Sequence, residues 1–193
     1  AIEHATLRLI PWDHDPIDIG AIDLRGHPDG RLVWLYTLQA GEDAPGHPSL
    51  AIKGQLAPGG AWRHALRVSA HDLKPWLAPF LPDFPSDATA DLSWQGELHG
   101  DSLAGLLEIH AAHAAGFDAA GLLDVSAPTG ATALPQALLH PRSLTLHTPY
   151  AALSTLSVQE GSIALSPTAV AIDDLHLHAL NGQLRHQMRV DFL

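Results

Sequence analysis

The chain has 193 residues, 46% of them hydrophobic, and a formal net charge of −11 at pH 7 with histidine neutral. This length can bury a sizeable core, as one large β domain or two small ones. The acidic balance argues against a nucleic-acid partner and against docking on an anionic membrane surface, because both need a basic face. The absence of cysteine excludes disulfides and thiolate-bound metals.

The chain begins Ala-Ile-Glu without methionine and contains no signal-like or membrane-spanning run. We therefore expect it to be a segment of a longer protein. An export signal or a membrane anchor would then lie outside this sequence.

The first 70 residues are predicted to form short strands, because apolar residues fall on every second position between clusters of turn residues. The run RLVWLYTLQA is apolar on both faces, which predicts a central strand. Gly20 lies inside another alternating run and predicts a β-bulge. The predicted strands are 5–10, 17–26, 31–40, 50–56 and 62–70.

Residues 71–87 interrupt the alternation and could mark a sub-boundary. Asp72 can cap a helix, and apolar residues recur at spacings of three and four over 72–81, which predicts a short helix. Its prolines prevent a longer one, and we expect it to cover one end of the sheet as a lid. Pro135 predicts the first turn of a second short helix at 134–140. Further strands are predicted at 88–100, 103–111, 121–127 and 144–147.

The stretch 153–193 shows the clearest alternation, and a period of two places its apolar residues on one face of a sheet. With about a dozen strands and no alternation of strands and helices, the sequence predicts a single all-β domain over 1–193. Its strands would form an antiparallel meander accompanied by one or two short helices. Turns are predicted at Glu160-Gly161, Ser166-Pro167, Asp173-Asp174 and, most strongly, Asn181-Gly182, which fits a type I′ hairpin.

No motif of nucleophilic catalysis or phosphate binding occurs, so we predict no enzymatic activity and no cofactor. His176 and His178 have the spacing that puts two rings on one face of a strand, and they are the weak candidates for a metal site. No third ligand is implied nearby, so solvent-facing histidines are the simpler interpretation. The group Asp13-His14-Asp15 is interpreted as a solvated turn.

Two architectures remain open from the residues alone. A closed β-sandwich would bury nearly all the apolar residues between two sheets. An open groove would leave many of them accessible. The tryptophans on predicted strands, Trp34, Trp62 and Trp94, fit either a packed core or the lining of an apolar channel.

Three runs combine alternating strands, a short helix with spaced Leu or Trp, and strands punctuated by glycine. They are LRVSAHDLKPWLAPFLP, ATADLSWQGELHGDSLAGLLEI and LSVQEGSIALSPTAVAIDDLHLHALNGQL. In this pattern the chain resembles the AsmA-like superfamily of Gram-negative envelope proteins (AsmA, TamB, YhdP and YdbH types). One departure is that Asn181-Gly182 stands where such proteins have Gly-Gly.

The resemblance implies a curved, partly open β-groove in a periplasmic, inner-membrane-anchored protein that transfers phospholipid between the inner and outer membranes. Acyl chains would be its ligand, the membrane would be reached through parts outside this segment, and other envelope proteins would be further partners. The alternatives are an accessory periplasmic subunit of a type II secretion system, of the N-subunit type, and a closed β-sandwich for binding or adhesion. Parity places the lipid-groove candidates on one face, together with Leu7 and Leu9: Leu92, Trp94, Leu107, Ile109, Ile163, Leu165, Val170, Ile172, Leu175, Leu177, Val190 and Phe192.

Overall fold

The computed structural model describes residues 2–9, 17–29, 33–40, 49–57, 62–70, 73–74, 85–129, 136–166, 168–179 and 182–191. These residues form one antiparallel sheet of twelve strands, and each strand pairs with its neighbours in sequence. The strands are β1 (Ile2–Leu9), β2 (Ile17–Asp29), β3 (Val33–Ala40), β4 (Ser49–Leu56), β5 (Trp62–Ala70), β6 (Thr89–His99), β7 (Ser102–Ala114), β8 (Phe117–Pro128), β9 (Ala137–His147), β10 (Thr155–Leu165), β11 (Ala169–Ala179) and β12 (Gly182–Asp191).

The prediction of an all-β antiparallel meander with about a dozen strands is confirmed. The sheet is open and uncurled, with β1 at one edge and β12 at the other. No second sheet packs against it within the described residues, so these residues do not form a closed sandwich. The register of β1 with β2 shifts between Thr6 and Arg8, across from 18–21, which is where Gly20 predicts a bulge.

The second predicted helix, at 134–140, is wrong where the structure describes it. Strand β9 begins at Ala137, and Leu139 lies between Val125 of β8 and Ile163 of β10. Pairing on both sides satisfies the backbone groups that a helix would satisfy within itself. Most of the first predicted helix, at 72–81, lies outside the described residues. A short 3-10 helix that the sequence did not predict spans Ala151–Leu153.

Two of the predicted turns are also wrong, because β10 runs through Glu160-Gly161 and β11 runs through Asp173-Asp174. Both sites are irregularities within a strand, with a φ of 118° at Gly161 and of 52° at Asp174. The turn at Ser166 is confirmed: its N–H donates to the carbonyl oxygen of Ala169 over 2.9 Å.

The hairpin predicted at Asn181-Gly182 falls at the junction of β11 and β12. Ala179 pairs with Gly182 across that junction. Gly182 is the first residue of β12 and lacks the positive φ that a central residue of a type I′ turn needs, so the turn predicted at Asn181-Gly182 is wrong in its position. Residues 180–181 lie outside the described residues.

Strand register assigns every paired residue to one face of the sheet, because residues directly opposite in an antiparallel pair point the same way. A row of such partners crosses eight strands and contains no polar side chain. We call the face that carries this row the apolar face and the other the polar face. The row is Val68, Leu92, Ile109, Gly121, Leu144, Val158, Leu177 and Leu184.

The buried core lies on the apolar face and is built from a single layer. Leu144, Val158, Leu175 and Leu177 form its centre, and Val158 is only 1% exposed. Ile109 of β7 also packs against this centre. In its row, Gly121 of β8 stands between Ile109 and Leu144, so no intervening side chain separates β7 from β9 at this level.

Candidate functional site

The groove candidates lie together on the apolar face. Following the register from strand to strand assigns all eleven that the structure describes to that face, from Leu92 on β6 to Val190 on β12. The bulges at Gly161 and Asp174 preserve this arrangement, since Ile163 and Ile172 still face the same way as Val158 and Leu177. Phe192 lies outside the described residues, and the side chains of Leu7 and Leu9 are not described.

Around its buried centre, the apolar face carries exposed side chains. Ten large hydrophobic side chains among the described residues are at least 37% exposed, and two of them, Tyr150 and Leu153, lie in the connection between β9 and β10. The other eight all lie on the apolar face. They are Trp34, Leu56, Trp62, Phe117, Leu165, Leu184, Met188 and Val190.

An aromatic group lies at one rim of this face, and we call Tyr36, Trp62, His64 and Trp94 the ring cluster. Successive ring centroids are separated by 6.2 Å from Tyr36 to Trp62, 5.5 Å from Trp62 to His64 and 6.0 Å from His64 to Trp94. The rings are tilted relative to one another, as aromatic pairs prefer. The cluster therefore spans four adjacent strands, β3 to β6.

Glycines make room for these rings. A Cβ built on Gly54 would lie 2.1 Å from the phenol oxygen of Tyr36, and one on Gly96 would lie 2.2 Å from the Trp94 ring. Gly54 and Gly96 occupy the same register row as Tyr36 and His64. The rings thus lie flat over backbone that lacks side chains, which keeps the rim shallow.

Hydrogen bonds tie the ring cluster together internally. The indole N–H of Trp94 donates to Nε2 of His64 over 2.7 Å, and the indole N–H of Trp62 donates to the phenol oxygen of Tyr36. Burial raises the pKa of the Tyr36 phenol, and the bond from Trp62 opposes this rise. The phenol therefore remains protonated at neutral pH.

The polar face carries ion pairs across neighbouring strands. Arg63 of β5 contacts Glu97 of β6 at 2.9 Å, and Arg142 of β9 contacts Asp124 of β8 through two bonds of 2.7 Å each. The Arg142 hydrogen bonds lower the pKa of Asp124. These charges keep this face hydrated, so only one side of the sheet is suited to apolar ligands.

A hollow of about 560 Å³ lies on the polar face, above the backbone of Gly54 and Gly96. Its walls include Lys53 together with Arg63 and Glu97, which pair with each other. Charged walls do not suit an acyl chain, because apolar contact with them would displace water from ionised groups. The exposed part of the apolar face is therefore the stronger candidate.

The weak metal candidates His176 and His178 lie on the same face of β11, as their spacing predicts, and this is the polar face. His176 lies between two carboxylates, with Nδ1 at 3.3 Å from Glu160 and Nε2 at 3.2 Å from Asp174. Arg185 pairs with the same Asp174 oxygen and competes with any cation there. Among the described residues, no group of three His, Asp or Glu side chains could hold a metal ion.

A second histidine site was not predicted. His113 at the end of β7 lies between Asp118, at 2.7 Å from its Nδ1, and Asp87, at 3.2 Å from its Nε2. Asp87 also accepts a hydrogen bond of 3.0 Å from the backbone N–H of Ala115. The hydrogen bond with Asp118 raises the pKa of His113. This group fastens the segment before β6 to the β7–β8 hairpin.

Comparison with protein-family models, with curated proteins and with solved structures finds no match in any of the three. Over the part of the chain that the structure describes, no helix has the length and apolar character needed to cross a membrane.

Proposed function

We propose that this chain is a non-enzymatic segment of a periplasmic envelope protein, and that its apolar face carries phospholipid acyl chains between the inner and outer membranes. The observation that supports this most is the set of exposed large hydrophobic side chains around the buried centre of the apolar face. Soluble monomers rarely expose apolar patches larger than about 300–600 Å² without a binding role. Here exposed side chains lie at one end of β3, β4 and β5, at Trp34, Leu56 and Trp62, and along β12, at Leu184, Met188 and Val190.

The rows of the apolar face fit an acyl chain chemically. Leu165, Val170 and Val190 are direct partners across β10, β11 and β12, and Leu165 and Val190 are 37% and 42% exposed. Each buried CH₂ group of a lipid contributes about 0.8 kcal/mol, so a chain can be held without any specific polar contact. Such binding needs no catalytic group.

The ion-paired face opposite supports the same function. A sheet that carries lipid through an aqueous compartment needs one face that water wets and one that it does not. The ion pairs Arg63–Glu97 and Arg142–Asp124 make the polar face the one that water wets. A closed sandwich would instead bury its apolar face against a second sheet, and none is present within the described residues.

Two carboxylate substitutions on adjacent residues of β11 test the proposal. Ile172 lies on the apolar face, whereas Ala171 lies on the polar face opposite Arg189. We expect Ile172→Asp to abolish binding of a phosphatidylethanolamine with a fluorescent acyl chain, because a carboxylate is unfavourable against hydrocarbon. Ala171→Asp should bind as the wild type does.

An exposed position keeps the test interpretable if Ile172→Asp does not fold. Val190 is 42% exposed on the edge strand β12, so Val190→Asp should fold and still weaken lipid binding. Equal lipid binding by the wild type, Ile172→Asp and Val190→Asp would refute the proposed function, as would a wild type that binds no lipid. Association of the wild type into dimers that hide the apolar face would show that a second copy covers it instead.

A further inference from the structure

Two hydrogen-bond donors of the ring cluster have no acceptor in the described part of the chain. An indole N–H can only donate, so the bond from Trp94 makes Nε2 of His64 the acceptor and places the ring proton on Nδ1. That Nδ1 is buried and has no partner. The Tyr36 oxygen accepts from Trp62, which leaves the phenol hydrogen free to donate.

The described side chains next to these donors offer no acceptor. Leu66 and the glycines Gly54 and Gly96 adjoin them on the apolar face, and none has a polar side chain. The two indoles carry only N–H groups, and both are already used. A buried donor without an acceptor is costly, so a ligand that brings oxygen atoms to this place is favoured over pure hydrocarbon.

We infer that the ring cluster binds the acceptor oxygens of a glycerolipid and so fixes where the polar end of the lipid lies on the apolar face. This inference rests on the proposed function. Both the ester carbonyls and the phosphate of such a lipid offer oxygen acceptors. Tyr36 and His64 donate to them, and the acyl chains extend from there over the apolar rows.

The position of the ring cluster suits the boundary between lipid chains and water. Trp34, Leu56 and Trp62 form the register row at the end of β3, β4 and β5, and all three are at least 40% exposed. Amphipathic rings favour such a boundary, since one side of them is apolar and the other is wet. Leu66 and Leu92 lead from this rim toward the buried centre.

Access to His64 requires one ring to move. Of its two aromatic neighbours, Trp94 is 9% exposed and lies over glycine backbone, whereas Trp62 is 40% exposed at the rim. Trp62, the more exposed of the two rings, is therefore the one we expect to turn aside when a lipid oxygen enters. Tyr36, which is half-buried, is reached without that movement.

The test compares two phosphatidylethanolamines of equal chain length, one with ester-linked chains and one with ether-linked chains that lack carbonyls. Binding of each is measured for the wild type, Tyr36→Phe, His64→Phe and the control Tyr150→Phe, whose tyrosine is 63% exposed away from the ring cluster. Each cluster variant should bind about fivefold more weakly, the factor that one ordinary hydrogen bond supplies. Tyr150→Phe should bind as the wild type does.

The pattern of losses identifies the oxygen. A loss confined to the ester lipid assigns the donors to the carbonyls, and an equal loss for both lipids assigns them to the phosphate. His64→Phe leaves the Trp94 N–H unpaired and Tyr36→Phe leaves the Trp62 N–H unpaired, so the urea midpoints of both variants are measured alongside. Trp62 is 40% exposed and its N–H can bond to water, so Tyr36→Phe decides the matter by itself if His64→Phe unfolds. Wild-type binding of both lipids by Tyr36→Phe overturns the inference but leaves the proposed function intact, whereas a wild type that binds neither lipid overturns both.

Discussion

Gly161 of β10 and Asp174 of β11 lie against each other, and both have positive φ. A Cβ built on Gly161 would lie 2.7 Å from the carbonyl oxygen of Asp174. Because each strand carries an irregularity at the same level, the apolar residues before and after it stay on one face. The pair therefore maintains the continuity of the apolar face between Val158 and Ile163.

Replacing Gly161 by alanine tests this relationship. The φ of 118° is unfavourable for any side chain, and the added methyl would collide with backbone, so we expect a loss of about 1–3 kcal/mol in the free energy of unfolding. Urea denaturation measures it. Gly182→Ala is the control: a Cβ there would be 3.4 Å from its nearest neighbour, and a loss as large as that of Gly161→Ala would contradict the account.

Leu177 and Leu184 are direct partners across β11 and β12, yet they differ in burial. Leu177 is 8% exposed in the core centre, and Leu184 is 57% exposed on the edge strand. We expect Leu177→Ala to cost about 2–5 kcal/mol of unfolding free energy because it leaves a cavity. Leu184→Ala should cost less than about 1 kcal/mol while still weakening lipid binding. An equal loss of unfolding free energy in the two variants would show that Leu184 is as buried as Leu177.

The clamp formed by His113, Asp87 and Asp118 predicts a dependence of stability on pH. The folded-state pKa of His113 is raised above 6.5, so its stabilisation is complete below the unfolded pKa and is lost as pH rises through the folded value. The hydrogen bond from the Ala115 N–H is the main cause that lowers the pKa of Asp87, and His113 lowers it further. The stabilisation that Asp87 provides is therefore present at neutral pH and is lost as pH falls through its folded-state pKa.

The substitution His113→Gln isolates the histidine. Urea midpoints of wild type and variant at pH 5.5 and 8.5 should differ more at the lower pH, because only protonated His113 pairs with both carboxylates. His110→Gln is the control on the same strand. An identical pH dependence of wild type and His113→Gln would rule out the clamp.

Alternation predicted the strands and the composition of the apolar face because a period of two fixes the face within each strand. It misplaced the breaks at Glu160-Gly161 and Asp173-Asp174 for a physical reason. Glycine and aspartate tolerate positive φ equally well in a turn and in a bulge, so composition cannot separate the two. The helix predicted at 134–140 failed because pairing with β8 and β10 outweighs the local preference.

The ring cluster could not be predicted from the sequence. Tyr36 and Trp62 are 26 residues apart, and Trp94 and His64 are 30 apart, so their contacts depend on the registers of four strands. In the sequence, each of Trp34, Trp62 and Trp94 fits either a packed core or the lining of an apolar channel. The local signal is the presence of glycine within two predicted strands, at Gly54 and Gly96. A glycine in a strand leaves backbone that a ring from a neighbouring strand can cover.

Photo-crosslinking at adjacent positions shows directly which face of the sheet contacts lipid. A benzophenone amino acid is placed at position 172 on the apolar face, at 171 on the polar face, or at 190 on the edge strand, and the protein is irradiated in a Gram-negative envelope. We expect lipid adducts at positions 172 and 190 and none at position 171. Lipid adducts at 171 equal to those at 172, or no lipid at 172 and 190, would contradict this expectation.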